Sequence, residues 1–239
     1  MKTVLITGGS RGIGRAMVEI FCENGYNVAF TYKSSSDAAR ELAHRTGALS
    51  ICADSEIESE ILSAVEKVKE MYGNVDILIN NAAVSSFSMI SDITLNEWRR
   101  TFAINVDAAF LYTKAVLPGM INKKCGRIIN ISSMWGEVGS SCEVHYSASK
   151  AALIGMSKAL AKELGPSGIT VNCIAPGIIN TEMNAQIEAE VMDELIGETP
   201  LMRIGRVDDV ANAAFFLASD KAGFITGTVL DVNGGFVIR

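Results

Sequence analysis

The sequence predicts an α/β fold of the Rossmann type, with a doubly wound, seven-stranded parallel sheet and helices on both faces, as one domain over residues 1–239. Three observations predict it. Short apolar runs alternate with helical periodicity from one end of the chain to the other. The run VDILIN at 75–80 is apolar on both sides, as befits a parallel strand covered by helices on both faces. A glycine-rich turn sits directly between the first strand and the first helix.

The elements follow in order. VLIT at 4–7 is the first strand. Ile13, Ala16, Met17, Ile20 and Phe21 then recur at the spacing of one helix face, and Asn24-Gly25 ends that helix. NVAFTY at 27–32 and ALSICA at 48–53 are the second and third strands. Between Ser55 and Tyr72, the residues Ile57, Ile61, Val65, Val68 and Tyr72 share a face. After the strand at 75–80 come a long helix from about Asn96 to Ile121 and the strand RIINIS at 127–132. A helix from about 146 to 164, the strand ITVNCIA at 169–175 and a last strand, TVLDV at 228–232, complete the series. This alternation implies right-handed crossovers. From Gly177 to Arg206 the chain leaves the rhythm, with Met183, Ile187, Val191, Met192, Leu195, Ile196 and Leu201 among acidic residues. Such a long excursion is either a lid over a site or a cover for core or a second subunit.

Composition excludes several function classes. A net charge of -6 provides no basic field for nucleic acid or anionic lipid. No apolar run is long enough for a transmembrane helix, and the start MKTVLIT lacks the layout of a signal peptide, so a cytoplasmic location is expected. The cysteines Cys22, Cys52, Cys125, Cys142 and Cys173 read as free thiols in a reducing compartment. His44 and His145 have no ligand-type neighbours at metal spacing, so no metal site is expected.

The turn TGGSRGIG, Thr7 to Gly14, has the chemistry of a dinucleotide site. Its glycines let the backbone approach a pyrophosphate, and the following helix points its N-terminal N–H groups at the anion. The spacing is TGxxxGxG rather than GxGxxG. At the end of the second strand, where NAD-binding domains usually carry an acid, the chain reads Thr31-Tyr32-Lys33-Ser34. Lys33, with Arg11 of the turn, offers cations to a 2′-phosphate, so NADP(H) is the expected cofactor. Tyr146 and Lys150, four residues apart at a helix start, lie on one face. A nearby ammonium stabilises phenolate, so the spacing leads us to expect a lowered tyrosine pKa suited to proton exchange with a carbonyl.

Together these motifs resemble the short-chain dehydrogenase/reductase family over essentially the whole chain. The family's glycine turn matches Thr7, Gly8, Gly12 and Gly14, with Ser10, Arg11 and Ile13 between them. Its adenine-contacting acid matches Asp54, and its NNAG motif appears as Asn80-Asn81-Ala82-Ala83, with alanine in place of glycine. The family's PG motif matches Pro176-Gly177, followed by Ile179 and by Thr181 near the expected carboxamide. The resemblance therefore implies cofactor contacts at these residues and at Tyr32, Lys33, Tyr146 and Lys150. Its catalytic tetrad falls on Asn105, Ser133, Tyr146 and Lys150; Ser133 rather than Ser132 has the family's spacing to the tyrosine. By the family mechanism Ser133 and Tyr146 hold the substrate oxygen and Tyr146 donates the proton. Lys150 binds the ribose, and Asn105 holds a water.

Within the family, the length, the glycine turn and the ending Val232-Asn233-Gly234-Gly235 look like the 3-oxoacyl-[acyl-carrier-protein] reductases. Lys123, Lys124 and Arg127 offer a docking patch for an acidic carrier, whereas Ser167 lacks the arginine usual there. The segment from Ser132 to Lys150 and the ending NGGFVI look like reductases of a 5-aminopentanone modification on elongation factor P. A hydroxysteroid or small ketone is a third substrate class, and an inactive NADP(H)-binding regulatory protein is the reading from another class. Met134, Trp135, Cys142 and Met183 are candidate pocket residues under any of the enzyme readings, and the resemblance implies a homotetramer.

Overall fold

The computed structural model describes residues 1–185 and 187–238, leaving out the side chain of Met183. Among them, seven strands form one parallel sheet in the order β3-β2-β1-β4-β5-β6-β7. These are β1 (Thr3–Ile6), β2 (Asn27–Tyr32), β3 (Leu49–Cys52), β4 (Ile77–Asn80), β5 (Gly126–Ile131), β6 (Ile169–Pro176) and β7 (Val229–Val232). Each prediction from the sequence falls on a strand, with ends displaced by one or two residues.

Alternation along the strands divides the core between two faces. Val4, Ile6, Ile77, Ile79, Ile129 and Ile131 point to one face. There they meet Met17 and Phe21 of α1 (Gly12–Glu23), Leu42 of α2 (Ser36–Thr46) and Val210, Ala214 and Leu217 of α9 (Val207–Ala218). Leu5, Leu78 and Ile128 point to the other face. Their partners are Ile61, Val65 and Val68 of α3 (Glu58–Tyr72), Tyr112, Val116 and Met120 of α5 (Ala108–Lys123), and Ala161 and Leu164 of α7 (Val144–Leu164). A period of two on strands between two helical layers yields this division directly.

Three features depart from the sequence expectation. The long helix expected from about Asn96 is broken into α4 (Leu95–Phe102), a π-helical turn (Ala103–Asp107) and α5. The π turn inserts an extra residue within a continuous helix, and no glycine or proline at 103–107 announces it. A short helix, α6 (Trp135–Val138), follows β5, and its Gly136 lies so close to α7 that an added Cβ would sit 2.8 Å from the Cβ of Lys150. Helix α2 carries only two buried residues, Ala39 and Leu42, too few for a strong periodic signal.

The excursion after β6 is pinched at its neck. Ile179 bridges to Gly205, the Asn180 N–H donates to the Gly205 carbonyl at 2.9 Å, and Gly205 N–H donates to Ile178 at 2.8 Å. Between these points lie a 3₁₀ turn (Glu182–Asn184) and α8 (Ala189–Glu198), which has no fully buried residue among those described.

Candidate active site

The strand order reverses between β1 and β4, and a crevice opens there at the carboxyl ends of the strands, where α/β sheets bind ligands. The glycine turn forms one wall. Gly8 has φ +67° and Gly12 +52°, values that side chains rarely adopt. A Cβ at Gly14 would collide with the Gly8 carbonyl, so the turn is wound too tightly for any side chain there. Asn81 clamps it: its amide donates to the carbonyls of Thr7 and Gly8 at 2.9 and 3.1 Å. The Thr7 hydroxyl accepts from the N–H groups of Asn81 and Ala82, both at 2.9 Å. Ser10 is buried and Ile13 packs partly against the core.

The first turn of α1 has no side-chain cap and no acidic residue. Its N–H groups and dipole therefore meet the crevice without a competing carboxylate, which fits a pyrophosphate. Thr181 stands across the turn, its methyl 3.5 Å from where a Gly12 Cβ would be. Ile179 is buried behind it, and Gly177 packs against Asn233 so closely that an added Cβ would sit 2.8 Å from that residue's Cα. The residues expected to hold a dinucleotide are thus brought to one crevice from β1, β4 and β6.

At the far end of the crevice, Tyr32 is partly buried at the end of β2, and both expected cations are engaged by acids. Lys33 pairs with Asp54 at 2.7 Å and lies 3.7 Å from Glu56, which in turn accepts from Arg100 at 2.8 Å. Burial pushes the Asp54 carboxyl up, but Lys33 and the Glu56 N–H outweigh it and hold the group below its ordinary value. Arg11 reaches Glu182 at 3.1 Å. The pairings of Arg11 with Glu182 and Arg100 with Glu56 span 171 and 44 residues, and no local signal in the sequence announces them.

The expected catalytic group lies where β5 and α7 meet the crevice. The Ser133 and Tyr146 hydroxyls lie near each other, and the Ser133 Oγ accepts the Trp135 N–H at 3.1 Å. Lys150 is 2% exposed, and its Nζ donates to the Ile131 carbonyl at 2.7 Å, 5.6 Å from the Tyr146 ring centre. Neighbouring Ser132 points the other way, donating to the Lys150 carbonyl at 2.9 Å. One serine thus faces the crevice and the other pins α7.

The acid–base balance runs opposite to the sequence expectation. Tyr146 is half-buried beside the crevice. Burial pushes the phenol up to about 12, with only partial relief from Ser133. Burial also pulls the Lys150 ammonium down to about 8, against a weak opposing influence of Cys173. Desolvation disfavours both charged forms here and exceeds the influence of the ammonium on the phenol. Tyr146 is therefore a neutral phenol at physiological pH, ready to donate.

Asn105 sits in the π turn and is buried. Its Oδ1 accepts the Val84 N–H at 2.9 Å, while its Nδ2 donates to the Val84 carbonyl and to Ser149 Oγ, both at 3.0 Å. The amide braces the loop after β4 against α7. Sequence reasoning missed a second brace: Asn80 donates to Asn130 at 2.8 Å, Asn130 donates to Ser157 of α7 at 2.7 Å, and the Cys173 thiol donates to the same hydroxyl at 3.1 Å. Polar residues inside apolar strands are the sequence signal that could have found it.

The expected pocket residues divide. Met134 is 1% exposed and belongs to the interior, so in this state it offers no surface to a substrate. Trp135 is partly exposed and stacks edge-on with Phe236, centres 5.6 Å apart. Cys142 is half-buried with φ +61°, and its carbonyl accepts the Ser88 N–H at 2.7 Å. The side chain of Met183 lies outside the described residues. The basic trio is not beside the catalytic residues of its own chain. Arg127, 9% exposed, starts β5 and donates to Gly126, while Lys123 pairs with Asp76 at 2.7 Å. The trio therefore lies at the amino end of β5, a strand length of roughly 20 Å from this chain's own catalytic residues.

Comparison with known proteins places this arrangement. A family model described as Enoyl-(Acyl carrier protein) reductase matches residues 8–237. The chain belongs to that family, within the short-chain dehydrogenase/reductases, oxidoreductases that bind NAD(P). It is 37% identical over 239 residues to a 3-oxoacyl-[acyl-carrier-protein] reductase of Staphylococcus epidermidis, covering 98% of each protein. It is 40% identical over 235 residues to an acetoacetyl-CoA reductase of Shinella zoogloeoides, again covering 98% of each. A solved structure of a blue fluorescent protein from a metagenomic library, in complex with NADPH, superposes with a TM-score of 0.94 at 38% identity. That match covers 99% of this chain and 98% of the other. Among the described residues no helix is long and apolar enough to cross a membrane, and no cluster of His, Cys, Asp and Glu could hold a metal ion.

Proposed function

We propose that this oxidoreductase uses NADPH to reduce the ketone of a 3-oxoacyl thioester to the 3-hydroxyacyl form. The observation that carries the reading is the Ser133–Tyr146 hydroxyl pair beside buried Lys150, facing a crevice built for a dinucleotide. When bound, the nicotinamide supplies the hydride. Ser133 and Tyr146 then hold the carbonyl oxygen where negative charge develops, and the neutral Tyr146 phenol passes it a proton. In this reading Lys150, pinned to Ile131, meets the nicotinamide ribose and returns a proton to Tyr146. Asn105 contributes by bracing α7. Arg11 and Lys33 are the cations for the 2′-phosphate, and Asp54 is the acid for the adenine.

The substrate class is supported by two relatives, one named for a carrier-bound oxoacyl group and one for acetoacetyl-CoA. Distance of the basic trio from the chain's own crevice favours a thioester that needs no docking patch on the same subunit. The test is NADPH oxidation with acetoacetyl-CoA, acetoacetyl-carrier protein and 5-aminopentanone-modified elongation factor P side by side. A higher kcat/KM with acetoacetyl-CoA supports the reading, and turnover of the modified factor alone replaces it. Tyr146→Phe should abolish turnover and leave NADPH binding intact; retained turnover refutes the assignment. Assembly as a homotetramer is part of the same proposal, supported by half-exposed Phe110 on α5 and the outward Ala151, Gly155 and Ala159 of α7. Light scattering should give a mass about four times 25.5 kDa.

A further inference from the structure

The four charges at the adenosine end of the crevice form a chain rather than two separate pairs. Arg100 on α4 binds Glu56 at 2.8 Å, Glu56 lies 3.7 Å from Lys33 at the end of β2, and Lys33 binds Asp54 at 2.7 Å. Three elements meet here: α4, the end of β2 and the loop after β3. The groups are partly exposed, with side chains of Lys33 and Arg100 at 51% and 56%, and Glu56 and Asp54 at 29% and 18%. Charge alternates along the chain and sums to zero, and Glu56 is shared between Arg100 and Lys33.

By the family's contact set, Asp54 also accepts an N–H of the adenine. Sharing the carboxylate in this way weakens its hold on Lys33. The loosened ammonium then has two anions within reach: a 2′-phosphate and Glu56. Glu56, in turn, is already held by Arg100, at a shorter distance than by Lys33. The more firmly Arg100 holds Glu56, the less of Glu56 remains to retain Lys33. We propose that Glu56, restrained by Arg100, sets the preference between NADPH and NADH by competing with the 2′-phosphate for Lys33. The inference rests on the NADPH reading above and assigns a specificity role to two residues outside the expected contact set.

The competition gives opposite signs for its two members. Glu56→Gln removes the competing anion and should tighten binding of adenosine 2′,5′-bisphosphate by about two- to fivefold, the scale of one exposed ion pair. Binding of 5′-AMP, which lacks the 2′-phosphate, should change by less than that. Arg100→Ala releases Glu56 to Lys33 and should weaken the bisphosphate by a similar factor. A general electrostatic field would produce the same two signs, so the double variant decides. If Arg100 acts through Glu56, Arg100→Ala has no further effect in the Glu56→Gln background; if each acts directly on the phosphate, the effects multiply.

The measurement is titration calorimetry of the full chain with both nucleotides, for wild type and the three variants. The proposal is supported by the opposite shifts together with loss of the Arg100 effect in the double variant. It is overturned by multiplicative effects, or by equal shifts in bisphosphate and 5′-AMP binding. Wild-type protein that binds 5′-AMP as tightly as the bisphosphate would overturn the NADPH reading itself and this inference with it. Clear wild-type discrimination that Glu56→Gln leaves unchanged would overturn only the inference.

Discussion

Lys150→Met in the cofactor-free protein tests how burial acts on the catalytic lysine. Burial takes the ammonium from 10.5 to about 8. At about 1.36 kcal/mol per pH unit, that difference is roughly 3 kcal/mol of stability. The side chain is 2% exposed, so solvent screening removes little of it. The sign follows from proton counting. Between pH 8 and 10.5 the unfolded lysine keeps its proton while the folded one has lost it, so stability rises with pH across that window. Below pH 8 both states are charged and the full cost of the buried ammonium is present. Tyr146 acts the other way at higher pH: it ionises near 10 when unfolded and only near 12 when folded, which lowers stability from pH 10 upward. Urea unfolding of wild type and Lys150→Met from pH 7 to 10.5, subtracted pairwise, isolates the lysine because the other titrating groups cancel. The difference should move in favour of wild type by roughly 3 kcal/mol between pH 8 and 10.5. A difference flat to within about 1 kcal/mol, less than one pH unit's worth, would show that burial does not depress this lysine.

Three further outcomes follow from the same site. For the reduction, kcat/KM should fall as pH rises through about 8, because Lys150 loses its proton there while Tyr146 retains its own to about 12; a limb appearing only above pH 10 would count against Lys150. Gly14→Ala places a methyl against the Gly8 carbonyl and should lower NADPH affinity tenfold or more in a fluorescence titration, an order-of-magnitude expectation for a distorted turn. Asn130→Ala leaves the Asn80 amide with only a long contact to Thr113 at 3.5 Å and takes one donor from Ser157, which keeps the Leu153 carbonyl and the Cys173 thiol, and should cost about 1–3 kcal/mol in urea unfolding. Unchanged stability there would mean the buried ladder does not anchor α7.

The sheet, the glycine turn and the roster of reactive groups are legible in the chain alone. Those features depend on local periodicity and on residues whose spacing survives any tertiary arrangement, such as Thr7 to Gly14 or Tyr146 to Lys150. What those groups do to one another depends on the assembled fold. Whether Lys150 lowers the Tyr146 pKa depends on desolvation by surrounding elements, and burial exceeds proximity here. The π turn that carries Asn105, and the commitment of its amide to Val84 and Ser149, follow from contacts 21 and 44 residues away. Lys123, Lys124 and Arg127 look adjacent to the site along the chain. They lie at its far end because a strand carries the backbone about 3.3 Å further with every residue. Tyr146 and Lys150 could be named from one helix, whereas the ion pairs that govern Arg11 and Lys33 required the whole fold.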